Sequence, residues 1–246
     1  MNTDIPQPPP FFPEAPGPRP PAALPEKLDI RAILEALLRN PKELILRLAD
    51  PGQGTLGRFI GIAVVSMLVF GTVLGSFAMH EQLWAAPLKI TVGLLIAGLI
   101  CFPSFYIFAS LAGSRGSATQ LAGILAGMLA LAGLLLLGFA PAVWIFTQAT
   151  NAFGFMGALA LIPWFVALAF GIRFLLTAVG LTGATSKGPV LLWSCIFLMV
   201  TLQMTTSLRP ILGRSDRFLT DEKKFFVQYW YETAGTSLKT SDQPAR

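Results

Sequence analysis

The chain has 246 residues, of which 54% are hydrophobic and 13% are charged, whereas about 25% of the residues of a soluble domain carry charge. This balance excludes two ordinary soluble domains and favours one membrane domain with short appendages. The formal net charge is +5, but the bases near both ends are interleaved with acids, which argues against an arm for nucleic acid. Cys101, Cys195 and the single histidine, His80, make no metal-binding pattern, so no cofactor or metal is predicted.

The first 50 residues predict a tail followed by two short helices. Residues 1–24 are rich in proline, which indicates a solvated tail or a ligand for an aromatic-lined groove on a partner. In residues 25–50, apolar side chains recur at helical spacing against charged ones. Asn40, Pro41 and Glu43 have the order of an N-cap, a first-turn proline and an N3 carboxylate, so a second helix is expected to start there. We expect two amphipathic helices in the membrane interface, or packed on a soluble partner.

Residues 51–208 predict a bundle of about five transmembrane helices. Between Glu81 and Asp216 there is no Asp or Glu, as expected of a segment in hydrocarbon, where a charge is costly. The predicted spans are 57–79, 87–113, 118–145, 153–171 and 190–208. The fold class is therefore an all-α polytopic membrane protein, preceded by amphipathic interfacial helices.

Small residues and prolines predict how these spans pack. Glycines four residues apart allow another helix to approach closely. The predicted packing glycines are Gly57, Gly61, Gly71, Gly75, Gly123 and Gly127. An internal proline frees a backbone carbonyl that needs a neighbour in lipid, so the region of Pro103 is expected to face protein. Kinks are predicted at Pro103, Pro141 and Pro163, where Pro141 kinks or ends its span.

The candidate contacts for an anion or a lipid head group are the basic residues Lys89, Arg173 and Arg209. Lys89 lies near the start of its span and can reach the head groups by snorkelling. Arg173 is an interfacial anchor if the span stops near Gly171. It is intramembrane, and the best single functional candidate, if the helix runs on to Gly180. Arg209 begins the segment 209–246, whose charged and aromatic residues predict a helix on the membrane surface or under the bundle.

Loop charges favour a cytoplasmic amino terminus. With five spans, the joints that hold Arg115 and Lys187 share a side with the basic amino-terminal helices, and the opposite joints carry no base apart from Lys89. The bases of the carboxy-terminal segment would then lie outside, against the same rule. Either that segment is translocated despite its charge or one span is re-entrant; five spans are preferred because each run is long enough to cross.

The pattern resembles that of the Yip-type polytopic membrane families. The likeness covers roughly residues 40–213 and rests on the Asn40-Pro41 segment, on spans rich in small residues, and on Pro87-Leu88-Lys89-Ile90 with Leu99-Ile100-Cys101-Phe102-Pro103-Ser104. It is closer to uncharacterised bacterial inner-membrane members that end their last span like Leu208-Arg209-Pro210-Ile211-Leu212-Gly213. The resemblance implies a five-helix bundle and a non-enzymatic part in membrane organisation or trafficking, and it supplies no catalytic residues.

The leading hypothesis from the sequence is a structural, scaffold or accessory protein of the membrane, and not an enzyme. Its partners are the lipid bilayer and other membrane subunits or a second copy, but not nucleic acid. The spans lack the carboxylates and histidines of ion-coupled transporters, and serines such as Ser66 and Ser104 lack a partner base. The alternative is a transporter or lipid-handling protein with a basic site at Arg173. We expect a bacterial inner-membrane location with a cytoplasmic amino terminus.

Overall fold

The computed structural model describes residues 29–39, 41–47, 54–78, 82–149 and 153–207, in which seven helices and no strand occur. The helices are α1 (Ile30–Arg39), α2 (Pro41–Arg47), α3 (Thr55–Ala78), α4 (Gln82–Leu111), α5 (Ala118–Ala149), α6 (Phe153–Leu181) and α7 (Gly188–Ser207). Helices α3 to α6 are long and apolar enough to cross a bilayer, and the apolar part of α7, Gly188–Met204, is somewhat shorter. The protein is therefore an all-α polytopic membrane protein. The predictions for residues 1–24, Asn40, Arg209 and the segment 209–246 concern residues outside the described ranges.

The two short helices pack on the bundle that follows them. The backbone N–H of Ile30 donates to the carboxylate of Asp29 over 2.8 Å at the start of α1. The apolar sides of α1 and α2 then enter the same core as residues of α5 and α6. The buried side chains include Ile33, Leu37, Leu44 and Ile45. The surface that covers these apolar sides is therefore the protein's own bundle.

Helix α5 is the centre of the five-helix bundle. Helix α3 packs between α4 and α5, α6 packs against α5, and α7 packs against α4. Every residue of α5 from Gly123 to Gly133 is buried, so about three turns of this helix are enclosed on all sides. An apolar helix suits either a core or lipid; the small buried residues of α5, such as Gly123, Gly127 and Gly133, let its neighbours approach closely on all sides.

Small residues set the distances between the central helices. A Cβ atom at Gly133 would lie 3.3 Å from Cβ of Ser66 in α3, and a Cβ atom at Gly71 would lie 2.5 Å from Cα of Pro87 in α4. The glycines predicted to pack fall into two groups. Gly71, Gly75, Gly123 and Gly127 are buried, whereas Gly57 and Gly61 are exposed on α3 and would have no atom within 4 Å of a Cβ.

Helices α5 and α6 are longer than the predicted spans. Helix α5 continues past Pro141 to Ala149, and α6 passes through Pro163 and beyond Gly171 to Leu181. Of the two alternatives for the fourth predicted span, the helix therefore follows the one that runs on past Gly171 and Gly180. Arginine is a good helix former and Arg173 continues the helix, which ends just before Gly183, whose backbone is left-handed with a φ of 96°.

Thr91 in α4 has a buried hydroxyl without a hydrogen-bond partner. By contrast, the hydroxyl of Thr201 in α7 donates to the carbonyl of Phe197 over 3.0 Å. An unpaired buried polar group costs about 1–3 kcal/mol. We expect Thr91→Val, which keeps the shape, to stabilise the protein by about 1 kcal/mol and to raise its thermal unfolding midpoint in detergent. Thr201→Val is the matched control and should not raise the midpoint; a lower midpoint for Thr91→Val would contradict the expectation.

Candidate functional site

Two loops at one side of the bundle bind each other. The loop 112–117 joins α4 to α5, and the loop 182–187 joins α6 to α7. The backbone N–H of Arg115 donates to the carbonyl of Thr182, and the N–H of Thr185 donates to the carbonyl of Ala112, each over 2.9 Å. We call this pair of loops the clasp. Because consecutive helices run in opposite directions, the clasp lies at the side where α3 begins, and we call this the clasp side.

A side-chain hydrogen bond adds to the backbone bonds of the clasp. The hydroxyl oxygens of Ser114 and Thr182 are 2.5 Å apart. The hydroxyl of Thr182 donates to the carbonyl of Val179 over 2.7 Å, so Ser114 is the donor between the two hydroxyls. The Ser114 oxygen also accepts from the backbone N–H of Gly116 over 3.2 Å. The clasp is thus a closed set of polar contacts between two hairpins.

The two loops are equivalent to each other by a shift of 70 residues. Each has a glycine with positive φ at its second position, 92° at Gly113 and 96° at Gly183. The two backbone bonds are reciprocal, because their donors and their acceptors are related by the same shift. The helices obey the same relation, since α4 packs against α7 as α6 packs against α5. The hairpin α4–α5 and the hairpin α6–α7 therefore pack on each other reciprocally, as in an approximate two-fold arrangement.

The glycines of the clasp are expected to be sensitive to alanine. A Cβ at Gly183 would meet no atom within 4 Å, so Gly183→Ala tests the left-handed backbone alone. We expect a loss of about 1 kcal/mol, seen as a lower thermal unfolding midpoint in detergent. Gly180→Ala is the matched control, because Gly180 is equally open but helical, and this change should be neutral or stabilising. Equal midpoints for the two variants would refute the expectation.

Exposed bases collect on the clasp side. They are Arg31, Arg39, Lys42, Arg58, Arg115 and Lys187. Three acids accompany them, of which Glu35 pairs with Arg39 over 3.2 Å. Among the described residues, only Lys89 and Arg173 carry charge outside this group, α1–α2 and Asp29, which directly precedes α1. The charge of the described part of the protein is therefore concentrated on one side of the bundle.

Lys89 does not reach the membrane surface as predicted. Its exposed fraction is 4%, so the expectation of an exposed snorkelling side chain is wrong. Helix α4 starts at Gln82, earlier than the predicted span, which places Lys89 well inside the helix. Lys89 has an interaction partner within the protein. It lies toward the end of α4 that is opposite to the clasp, so Lys89 and the basic group of the clasp side are separate sites.

Arg173 is exposed on α6, inside the apolar segment Leu159–Leu181. The helix continues for eight residues after it, which is about 12 Å. Helix α6 has 29 residues and is about 44 Å long, whereas the hydrocarbon layer is about 30 Å thick. If the excess is shared between the two ends, Arg173 lies about 5 Å inside the hydrocarbon boundary of the clasp side. An arginine side chain can bridge that depth by snorkelling.

The structure does not bring the three predicted basic contacts together. Lys89 and Arg173 lie toward opposite ends of the bundle, and Arg209 is outside the described residues. Within the part of the chain that the structure describes, no group of three or more His, Cys, Asp or Glu side chains could hold a metal ion. The feature that organises the described polar residues is the clasp.

The chain matches no protein-family model, no curated protein and no solved structure.

Proposed function

We propose that the protein is a non-enzymatic scaffold or accessory subunit of the membrane, whose bundle binds a transmembrane helix of a partner. The observation that carries this proposal is the unequal use of the two equivalent hairpins. Helix α3 occupies the position beside α4 and α5. Among the described helices, none occupies the equivalent position beside α6 and α7. A partner helix in that position would complete the two-fold arrangement.

The face of α7 that would meet the partner follows from the repeat. Gly133 of α5 lies against Ala63 and Ser66 of α3, and its equivalent on α7 is Gln203. One and two turns earlier on the same face are Val200 and Ile196. Ile196 is exposed, and the other two are half-buried. We call Ile196, Val200 and Gln203 the α7 face. It is apolar apart from one amide, which suits a helix–helix contact in lipid.

The exposed glycines of α3 support the same function. Gly57 and Gly61 are four residues apart and open to the surroundings. Gly71, Gly127 and Gly133, by contrast, lie against other helices of the chain itself. Pairs of small residues with this spacing are common where membrane helices approach each other closely. The pair therefore offers a second place for a partner helix.

The described hydroxyls support a role without catalysis. Ser104 donates to the carbonyl of Cys101 and Ser194 to the carbonyl of Val190, each over 2.8 Å. A hydroxyl nucleophile needs a base that takes its proton. The charged residues within the described spans are the cations Arg58, Lys89 and Arg173, which are not bases while protonated. These hydroxyls serve the helices that carry them.

The location is also part of the proposal. The bases of the clasp side favour a cytoplasmic amino terminus by the positive-inside rule, and we place the protein in a bacterial inner membrane. Membership of a Yip-type family is proposed on the two sequence runs 87–90 and 99–104, which both lie on α4.

The test is the composition of the particle after gentle detergent extraction from the native membrane. We expect the chain in a fixed ratio with another membrane protein, or with a second copy. Ile196→Trp enlarges a side chain of the α7 face, and a clash in a packed interface costs roughly 1.4 kcal/mol or more. This variant should therefore lower the ratio of partner to chain at least tenfold. Leu99→Trp on the exposed side of α4 is the matched control and should leave it unchanged. A particle that contains one chain and no other protein would overturn the proposal.

A lipid-handling role is the second candidate, because α6 runs past Arg173 and keeps this base inside the apolar segment Leu159–Leu181. If this role is correct, the purified protein in vesicles should speed the movement of labelled phospholipid between leaflets. Arg173→Gln should remove that acceleration, whereas Arg58→Gln at the start of α3 should keep it. No acceleration by the unmodified protein would exclude this candidate.

A further inference from the structure

The surface of α1 is divided into three strips. Ile33 and Leu37 are buried in the core of the bundle. Ile30 and Leu38 are exposed on the neighbouring strip, with more than half of their surface open. Arg31, Glu35 and Arg39 recur every four residues on a third, charged strip, which is also exposed. At 100° per residue the two apolar strips adjoin each other, and the charged strip follows on the other side.

The three strips fit three different surroundings. The bundle covers the first strip, and the charged strip suits water. The strip of Ile30 and Leu38 is apolar and is not covered by the protein, and Leu46 of α2 is exposed in the same way. Helix α1 packs on α5, and α2 packs on α6, both of which cross the membrane. A helix beside the bundle, at the level of the head groups, would place its second apolar strip against lipid.

Positive charge surrounds this helical pair. Arg31, Arg39 and Lys42 are exposed on α1 and α2, and only Arg39 is paired with an acid by a described salt bridge. The loops of the clasp add Arg115 and Lys187 on the same side. Bases at the level of the head groups attract anionic lipids, with a preference of about fivefold for each base near the surface.

We propose that α1 and α2, together with the bases of the clasp side, bind the anionic head groups of the phospholipid leaflet on that side. Leu38 and its strip enter the outer part of the hydrocarbon, and the bases contact lipid phosphates. The pair is thereby held between the bundle and the leaflet. This inference concerns the lipid surface and is independent of any helix that binds the α7 face.

The first experiment locates Leu38. The full chain carries Leu38→Cys in a Cys195→Ser background, in which Cys101 is buried, and the new thiol bears a fluorescent label. The protein is reconstituted in vesicles of phosphatidylcholine mixed with phosphatidylglycerol. We expect brominated lipids to quench the label and aqueous iodide to leave it bright. Labels at Glu35→Cys and Leu99→Cys are the references for water and for deep lipid. Quenching by iodide as strong as at Glu35→Cys would show that this surface faces water or a soluble partner, and would overturn the proposal.

The second experiment tests the charge. Brominated phosphatidylglycerol should quench the label at Leu38→Cys about fivefold more effectively per lipid than brominated phosphatidylcholine, as expected from one base near the head group. Arg31→Gln combined with Lys42→Gln should remove this preference while the label stays in lipid. Salt near 1 M should have the same effect, because it shortens the screening length to about 3 Å. Equal quenching by both lipids with all bases present, or a preference that survives both treatments, would overturn the proposal.

Discussion

Replacing Trp193 by alanine is expected to destabilise the bundle by about 4 kcal/mol. The Trp193 side chain is fully buried between α7 and α4. Its ring lies 4.7 Å from that of Phe105 and stacks on Phe197 at 5.2 Å, measured between ring centroids. Its indole N–H donates to the carbonyl of Cys101 and to the hydroxyl of Ser104, over 3.2 Å and 3.1 Å. Alanine would leave a large cavity and remove the polar link between the two helices.

The thiol of Cys101 offers a measurement of this loss. Cys101 is buried and its backbone carbonyl accepts from the indole N–H of Trp193, so we expect a fluorogenic maleimide to react with the thiol only when α4 and α7 separate. In a Cys195→Ser background, Trp193→Ala should lower the temperature of labelling strongly. Trp193→Phe keeps most of the ring and should cost about 1–2 kcal/mol through the lost hydrogen bonds. Trp144→Ala is the control, because Trp144 is exposed. A Trp193→Ala variant that labels at the same temperature as Trp144→Ala would contradict the assigned packing.

The sequence predicts the fold class and the order of the helices, because the absence of charge over so long a segment allows few alternatives. It is less informative about helix ends. Arg173 is a plausible end for a span, since a charge in hydrocarbon is costly. The backbone hydrogen bonds of the helix do not depend on where the side chain lies in the membrane, so the helix continues until a glycine with a left-handed backbone ends it. The error arises because the limits of a helix and the limits of the hydrocarbon are two different boundaries.

The candidate site is predictable only in part. The bases of the clasp side follow from the loop positions of Arg115 and Lys187. The burial of Lys89 cannot be predicted from the sequence, because it depends on which side of α4 is covered by the neighbouring helices. The repeat leaves a weak trace in the sequence, where Leu111 and Leu181 are each followed two residues later by a glycine. Two leucines that are each followed two residues later by a glycine are common by chance. Only the reciprocal hydrogen bonds between the two loops show that these positions are equivalent.

The two glycine pairs of α3 look alike in the sequence but have different surroundings in the structure. Gly71 and Gly61 are both helical glycines in one apolar helix, so the sequence treats them alike. In the structure, a Cβ at Gly71 would lie 2.5 Å from the backbone Cα of Pro87, whereas one at Gly61 would meet no atom within 4 Å. Gly71→Ala should therefore cost about 3 kcal/mol, since a backbone atom cannot rotate away as a side chain can.

The measurement is the same labelling temperature, or the fraction of protein that stays monodisperse in detergent on heating. Gly61→Ala, the matched control, should be neutral or stabilise α3 by a few tenths to about 1 kcal/mol. In the native membrane the same two variants also test the proposed partner contact. If Gly61 belongs to a partner contact, Gly61→Ala should weaken the extracted complex while the isolated chain keeps its stability, whereas Gly71→Ala should weaken both. If Gly71→Ala melts no lower than Gly61→Ala, the close approach of α3 to α4 at Pro87 is wrong.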